Sequence, residues 1–265
     1  MEKWRLILDP KRSGSENMAV DEAILSEFDS GATTTPTLRL YGWEVPTISI
    51  GYLQHSAPLK GYGLPVVRRI TGGRAVLHDN EITYSVVASI EHPLFAKGIL
   101  EAYSAISNCI ISALKEVGIE ADLSKGTVRQ KGSERDACFH TPSRYEVLVG
   151  GRKLVGSSQR RFKKAFLQHG SIIYGLDKEL NSRIFGDDVI KRMAWIEDFV
   201  SIGMEDFREI LIQKFSEGFG AEFSCLPLSE AEDRFSARLI EEKYNKTEWI
   251  SICGKGFDER TPVSR

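Results

Sequence analysis

Two hydrophobic patterns divide the chain. Short apolar and β-branched runs bounded by turn residues predict strands over residues 4–8, 37–43, 46–51, 66–70, 75–78, 82–87, 145–149, 152–160 and 166–173. Apolar residues at helical spacing predict helices elsewhere. The first covers 17–25, with Ser13 or Ser15 available as N-cap. A long amphipathic helix over 94–117 places Ile99, Tyr103, Ile106, Ile110 and Leu114 near one face, with Cys109 inside it as a small core residue. Phe207, Ile210, Leu211 and Phe215 share one side of a helix over 204–219, and another amphipathic helix covers 229–244. Residues 118–136 form a polar connection.

Gly150-Gly151 joins two strands as a hairpin turn, and turns at Pro46 and at Asp79-Asn80 join others. Hairpins therefore dominate, and the expected class is α+β, with mixed, largely antiparallel sheets flanked by helices. The expected division is a main domain over 1–228 and a small helical segment over 229–265, separate or docked on the first.

Composition narrows the class further. The chain has 265 residues, enough for a sizeable core, and its hydrophobic fraction of 42% and charged fraction of 27% are those of an ordinary soluble globular protein. A formal net charge of -2 provides no global attraction to nucleic acid or to an anionic membrane. No apolar run approaches the roughly 20 residues of a membrane span, and the N-terminus has no signal-peptide core, so a cytoplasmic protein is expected. Cys109, Cys138, Cys225 and Cys253 are scattered without a CxxC pair, which argues against a zinc site and a disulfide framework.

The candidate chemistry gathers in two stretches. In the first, Gly72 and Gly73 break a strand-rich run between Arg68, Arg69 and Arg74. Glycines let backbone lie against a ligand and guanidinium groups meet an anion or carbonyl oxygen; the alternative is a tight turn with solvated arginines. His78 beside Asp79 reads as a hydrogen-bonded turn or as a base. In the second stretch Cys138 has Arg135, His140, Arg144, Lys153 and His169 in its neighbourhood. A cysteine beside cations can ionise and act as a nucleophile, and a Cys/His pair with His140 or His169 is conceivable; the alternative is a small buried residue. Lys153 reads as a solvated strand residue or as a site group, since Gly156, Ser157 and Ser158 after it leave room for a ligand over the sheet. There is no Walker A loop, and no GxGxxG opens a helix after a strand.

Taken in order, these pieces resemble the lipoate-biotin protein ligase and acyltransferase superfamily. The resemblance rests on Asn17-Met18-Ala19-Val20-Asp21-Glu22-Ala23, Thr37-Leu38-Arg39-Leu40-Tyr41-Gly42-Trp43, Ser49-Ile50-Gly51-Tyr52 and the run from Arg68 to His78. It continues through Tyr145-Glu146-Val147, the run from Gly151 to Gln159, and Leu167-Gln168-His169-Gly170-Ser171. It implies a biotin/lipoate protein ligase-like catalytic fold. Within the superfamily the chain is most similar to octanoyltransferases of the LipM type. Two departures from the ATP-using ligases agree: Arg74 stands where those carry a third glycine, and Asp79-Asn80-Glu81-Ile82 replaces their Asp-x-Gly-Asn element. His140 is a departure from the transferases, which carry an acidic residue at that place.

The resemblance implies octanoyl transfer from acyl carrier protein to a lipoyl-domain lysine, such as that of glycine cleavage H protein, in lipoate biosynthesis. It places the nucleophile at Cys138 and the catalytic lysine at Lys153. The expected substrate contacts are Arg68, Arg69, Gly72, Gly73, Arg74, Ala75, Val76, His78, Gly156, Ser157, Ser158 and His169, with Leu77 also lining an octanoyl tunnel. Arg68, Arg69, Arg160, Arg161, Lys163 and Lys164 are the expected receiving patch for acidic partners. No cofactor and no metal is expected. The competing readings are an ATP-dependent lipoate-protein ligase, an octanoyl amidotransferase between lipoyl domains, and a non-catalytic lipoate- or acyl-binding module.

Overall fold

The structure is a computed structural model and describes residues 1–56, 59, 61–124 and 146–251. In chain order it contains β1 (Glu2–Leu8), α1 (Gly14–Ser30), β2 (Thr37–Tyr41), β3 (Thr47–Ile50), β4 (Val66–Arg68), β5 (Val76–His78), β6 (Glu81–Ser89), α2 (Ile99–Glu116) and β7 (Asp122–Leu123). There follow β8 (Val147–Val149), β9 (Arg152–Arg161), β10 (Ala165–Ile173), α3 (Lys178–Phe185), α4 (Asp187–Ile190), α5 (Met204–Phe219), β11 (Ala221–Cys225), α6 (Glu230–Leu239) and α7 (Thr247–Ser251).

Among the described residues, eight strands form one sheet in the order β11-β1-β2-β6-β10-β9-β8-β7, and β4-β3-β5 form a smaller one. Pairing is parallel at β1–β11, β1–β2 and β3–β4, and antiparallel at the other pairs. The mixed, largely antiparallel α+β class expected from the sequence is therefore the observed one.

Strand periodicity decides where the core and the site lie. On β6, Ile82, Tyr84, Val86 and Ala88 point into the large core with Trp4, Leu38, Phe166 and the apolar sides of α2 and α5. The alternate β6 residue Val87 packs with α1 through Ile24, Leu25 and Phe28, joined by Leu167 of β10. Toward the other end of that same face stand Glu81, Thr83 and Ser85 on β6 and His169 and Ser171 on β10, all buried. One face of the sheet is thus apolar, while the other changes from apolar to polar where the site forms.

Local chemistry fixes the covering helix. Ser13 caps α1 in a full capping box with Glu16, and Gly31 ends it in the left-handed conformation at φ 86°. The C-terminal helices pack onto this face: Arg5 pairs with Glu232 of α6 at 2.5 Å, and Leu239, Tyr244 and Trp249 join the α1 cluster. No described helix is long and apolar enough to cross a membrane.

Three expectations change. The runs at 37–43 and 46–51 do not form a hairpin, because β2 pairs with β1 and β6 while β3 enters the small sheet. Likewise Asp79-Asn80 passes the chain from one sheet to the other rather than closing a hairpin. The helix expected from residue 94 starts at Ile99, after Gly98 at φ 132°, and Ile99 itself is exposed, leaving Ala102, Ile106, Ile110 and Leu114 as the buried stripe.

Candidate active site

Between the two sheets lies a pocket of about 390 Å³, a volume that includes space open to solvent. Gly73, Ser157 and Ser158 stand at its partly exposed end, while Met18, Tyr41, Trp43 and Thr83 are buried at the other. It is therefore a slot with one closed end.

The closed end is held rigidly. Trp43 stacks on His78 with ring centroids 4.0 Å apart and planes 12° from parallel. The Trp43 indole N–H donates to Thr83 Oγ1 at 2.8 Å, and His78 is held by Ser49 Oγ at 2.5 Å and Glu81 Oε1 at 2.7 Å. Ser171 adds a hydroxyl to Glu81 at 2.5 Å. Burial on its own would raise the Glu81 carboxyl; His78, Ser171 and Thr83 outweigh it and hold it below the ordinary range, so Glu81 is a carboxylate. The structural side of the His78 reading holds, with Glu81 as its partner rather than Asp79.

The glycine turn rests on backbone. A Cβ on Gly51 would come within 2.1 Å of the Gly73 carbonyl oxygen, so only glycine lets β3 and the turn meet. Gly73 has φ 95°. Arg69 anchors the arrangement: one guanidinium nitrogen donates to Ser49 Oγ at 2.6 Å, the other to the carbonyls of Gly72 and Arg74 at 3.0 and 3.1 Å.

At the open end a second polar chain enters the fold. Ser158 Oγ lies 2.8 Å from Thr71 Oγ1, Thr71 Oγ1 lies 2.7 Å from His169 Nε2, and His169 Nδ1 lies 3.0 Å from Asp21 Oδ2. Arg39 and Ser85 donate to Asp21 Oδ1 at 2.7 and 2.9 Å, and Tyr41 to Oδ2 at 2.9 Å. Burial alone would raise the Asp21 carboxyl; Arg39 and His169 outweigh it and hold it below its ordinary value. Burial lowers His169, against the opposing pull of Asp21, so its imidazole is neutral near pH 7.

Lys153 is not the solvated residue that its place near a strand start suggests. Its Nζ lies 2.5 Å from Glu146 Oε1, with both side chains 2% exposed. Its backbone is clamped as well, donating to Arg192 O and accepting from Ala194 N–H. Lys153 shares β9 with Gly156, Ser157 and Ser158 but is not itself on the pocket wall. Cys138, with Arg135, His140 and Arg144, lies outside the described residues. Of the other cysteines, burial pushes the Cys109 thiol up to about 12, so it is inert core.

The remaining expected contacts divide. Val76 and His78 of β5 line the pocket, whereas Ala75 and Leu77, one residue out of phase, turn into the apolar cluster behind the small sheet with Ile48, Ile50 and Ile184. Arg68 is fully buried away from the pocket, donating to the carbonyls of Gly51, Tyr52, Trp249 and Ile250. Arg74 is half-buried with its carbonyl on Arg69 and is not on the pocket wall. A surface patch therefore excludes Arg68 and Arg69; Arg160 and Arg161 are half-buried, and Lys163 and Lys164 are exposed. Among the described residues no group of three or more His, Cys, Asp or Glu side chains is placed to hold a metal ion.

Sequence reasoning missed Asp21, Ser49, Thr71, Glu81 and Glu146. The available signal was polarity out of place: Ser49 inside an Ile-Ser-Ile strand, Asp21 within an apolar helix, and Glu81, Thr83 and Ser85 alternating with Ile82, Tyr84 and Val86.

Residues 13–216 match the family model of the lipoyl protein ligase A/B catalytic domain. An octanoyltransferase LipM of Carboxydothermus hydrogenoformans is 40% identical over 272 residues, covering 94% of this chain and 99% of the relative. That of Kyrpidia tusciae is 40% identical over 274 residues, with 94% and 98% covered. Among solved structures, a lipoate-protein ligase A bound with ATP is similar with TM-score 0.80 and 26% identity, over 96% of this chain and 100% of that one.

Proposed function

The chain belongs to the lipoyl protein ligase A/B catalytic domain family and is an octanoyltransferase of the LipM type, and from that premise we propose its donor, acceptor and mechanism. The donor is octanoyl-acyl carrier protein. The acceptor is a lysine of a lipoyl domain, with glycine cleavage H protein as the favoured bearer. What carries this reading is the likeness to LipM octanoyltransferases across 94% of the chain. The slot, closed at one end and with a mostly apolar accessible lining, supports it. Burying seven alkyl carbons at about 0.8 kcal/mol each supplies roughly 5 kcal/mol of gross binding, enough to prefer octanoyl over short acyl groups.

In this mechanism the Cys138 thiolate attacks the thioester carbonyl of octanoyl-phosphopantetheine. The carbonyl–sulfur bond to pantetheine breaks, the carrier leaves as its thiolate and takes a proton from water, and an octanoyl thioester forms on Cys138. Exchange of one thioester for another is near thermoneutral, so no ATP is needed. The acceptor amine then attacks this thioester, an amide forms, and the Cys138 sulfur is released; amide formation is downhill. Lys153, as the cation of its pair with Glu146, suits two tasks: holding Cys138 as thiolate and donating to the developing oxyanion. Gly156, Ser157, Ser158 and the Gly72-Gly73 turn border the slot where the acyl carbonyl enters.

An assay that compares octanoyl-acyl carrier protein with octanoate plus ATP as donors to an apo lipoyl domain tests the reading. Transfer from the carrier without ATP is the expected result. Modification only with free acid and ATP would instead select the ligase reading, which the likeness to an ATP-bound lipoate-protein ligase keeps in view.

A further inference from the structure

The chain Ser158–Thr71–His169–Asp21 has its hydrogen positions dictated link by link. Asp21 is ionised and receives Arg39, Ser85 and Tyr41, so it can only accept, and His169 Nδ1 must carry the proton between them. His169 is neutral, so its Nε2 is an acceptor and the Thr71 hydroxyl must donate to it. The Thr71 oxygen then accepts from the Ser158 hydroxyl. Ser158 alone of the four is half-exposed, and it lines the slot with lone pairs to spare, while Thr71, His169 and Asp21 are buried. The four residues come from α1, the turn after β4, β9 and β10, so tertiary structure alone assembles the row.

The proton of the attacking amine needs such an acceptor. Lys153 is engaged in a buried ion pair with Glu146. We propose that Ser158, Thr71, His169 and Asp21 form a proton relay that serves amine attack on the acyl-enzyme, a role that rests on the acyl transfer proposed above. As the amine nitrogen bonds to the thioester carbon, its proton passes to Ser158 Oγ, the Ser158 proton passes to Thr71 Oγ1, and the Thr71 proton passes to His169 Nε2. The imidazolium so formed is held by Asp21. When the carbon–sulfur bond breaks, Cys138 leaves as the thiolate, and the imidazolium passes its proton back along the same row to water at Ser158, so the relay is reset. Ser158 is the member that meets the substrate; Thr71, His169 and Asp21 are positioning residues that act through it. The charged and titratable groups facing His169 are Asp21 from α1, Arg69 from the turn and His78 from β5, with Arg39 and Tyr41 of β2 acting through Asp21.

Thr71→Val tests this by removing the central hydroxyl with little change of shape, and Thr71→Ser restores it. The two half-reactions are followed separately, as carrier thiol released with no acceptor and as octanoyl passed from the acyl-enzyme to a lipoyl domain. The expected result for Thr71→Val is a shift in the ratio of the two rates by roughly a hundredfold against amine transfer. The loss falls in kcat rather than KM, the acid limb of the transfer pH profile disappears, and Thr71→Ser recovers both. Should Thr71→Val not fold, Ser158→Ala at its half-exposed position supplies the same reading. Equal loss in both half-reactions, undiminished amine transfer, or a Thr71→Ser variant as impaired as Thr71→Val would overturn the relay. A wild-type protein that moves no octanoyl group from the carrier would overturn the proposed function first, and the relay with it.

Discussion

The Lys153 ammonium lies 2.5 Å from the Glu146 carboxylate, and each side chain is 2% exposed. A buried pair of this kind is costly to break from one side, because the survivor keeps a desolvated charge and loses the opposite charge closest to it. Glu146→Gln should lower the unfolding free energy by about 3 kcal/mol in urea denaturation. The joint replacement Glu146→Leu with Lys153→Met should recover most of that stability while octanoyl transfer remains lost. A double variant that regains both would place Lys153 outside the chemistry.

The Trp43–His78 stack closes the slot, so it should limit acyl length. Trp43→Phe removes part of the end wall and leaves Thr83 and Glu81 to each other. Decanoyl and dodecanoyl carriers should be poor donors for the wild type and should become, for the variant, donors comparable to the octanoyl carrier, with about 1–3 kcal/mol of lost stability from the truncated core ring. Competition among carriers of mixed chain length, read by mass spectrometry, checks this; an unchanged preference for octanoyl would move the length limit elsewhere.

Gly51→Ala probes the turn. Its Cβ would meet the Gly73 carbonyl at 2.1 Å, a contact with backbone that only a displaced turn relieves. The prediction is a loss of transfer of roughly a hundredfold, because a displacement of about 1 Å suffices for that, together with a modest loss of Tm. Gly150→Ala, at a surface hairpin turn, should leave transfer near wild type, so an equal effect of the two substitutions would deny the glycine turn its role.

How much of this was legible in the sequence follows from which physical signal each feature leaves. Periodicity located β6, β10, α1 and α5, and a cap was visible at Ser13 or Ser15, between which the capping box with Glu16 decides for Ser13. Strand partners were not visible, since alternation says which face a residue takes and not which strand lies beside it; hence the false hairpin between 37–43 and 46–51. Motif likeness drew Gly73, Val76, His78, Ser157, Ser158 and His169 to one pocket, but could not tell Arg69, which holds the turn, from Arg68, which fastens the C-terminal α7. Thr71 and Asp21 escaped notice because their meaning lies in contacts across the fold, made only once β10 carries His169 beneath α1.

Acid stability should fall in two stages. His169 titrates below its ordinary 6.5 in the fold, so the unfolded chain takes up a proton that the native state resists, and stability declines as pH drops below about 6.5. Asp21 and Glu81 are lowered from 3.8 and 4.5; their contribution is complete above those values and is lost as pH falls through the folded ones. His169→Gln should flatten the first stage and leave the second. Urea midpoints measured between about pH 7 and pH 3 check this; identical profiles for the two proteins would contradict it.

Covalent catalysis at Cys138 is tested most directly by mass spectrometry of the protein after mixing with octanoyl-acyl carrier protein in the absence of acceptor. The prediction is one octanoyl adduct on Cys138, removed by hydroxylamine, passed on to an added lipoyl domain, and absent from Cys138→Ala. Full transfer to the lipoyl domain by Cys138→Ala, with no adduct at any time in the wild type, would contradict it.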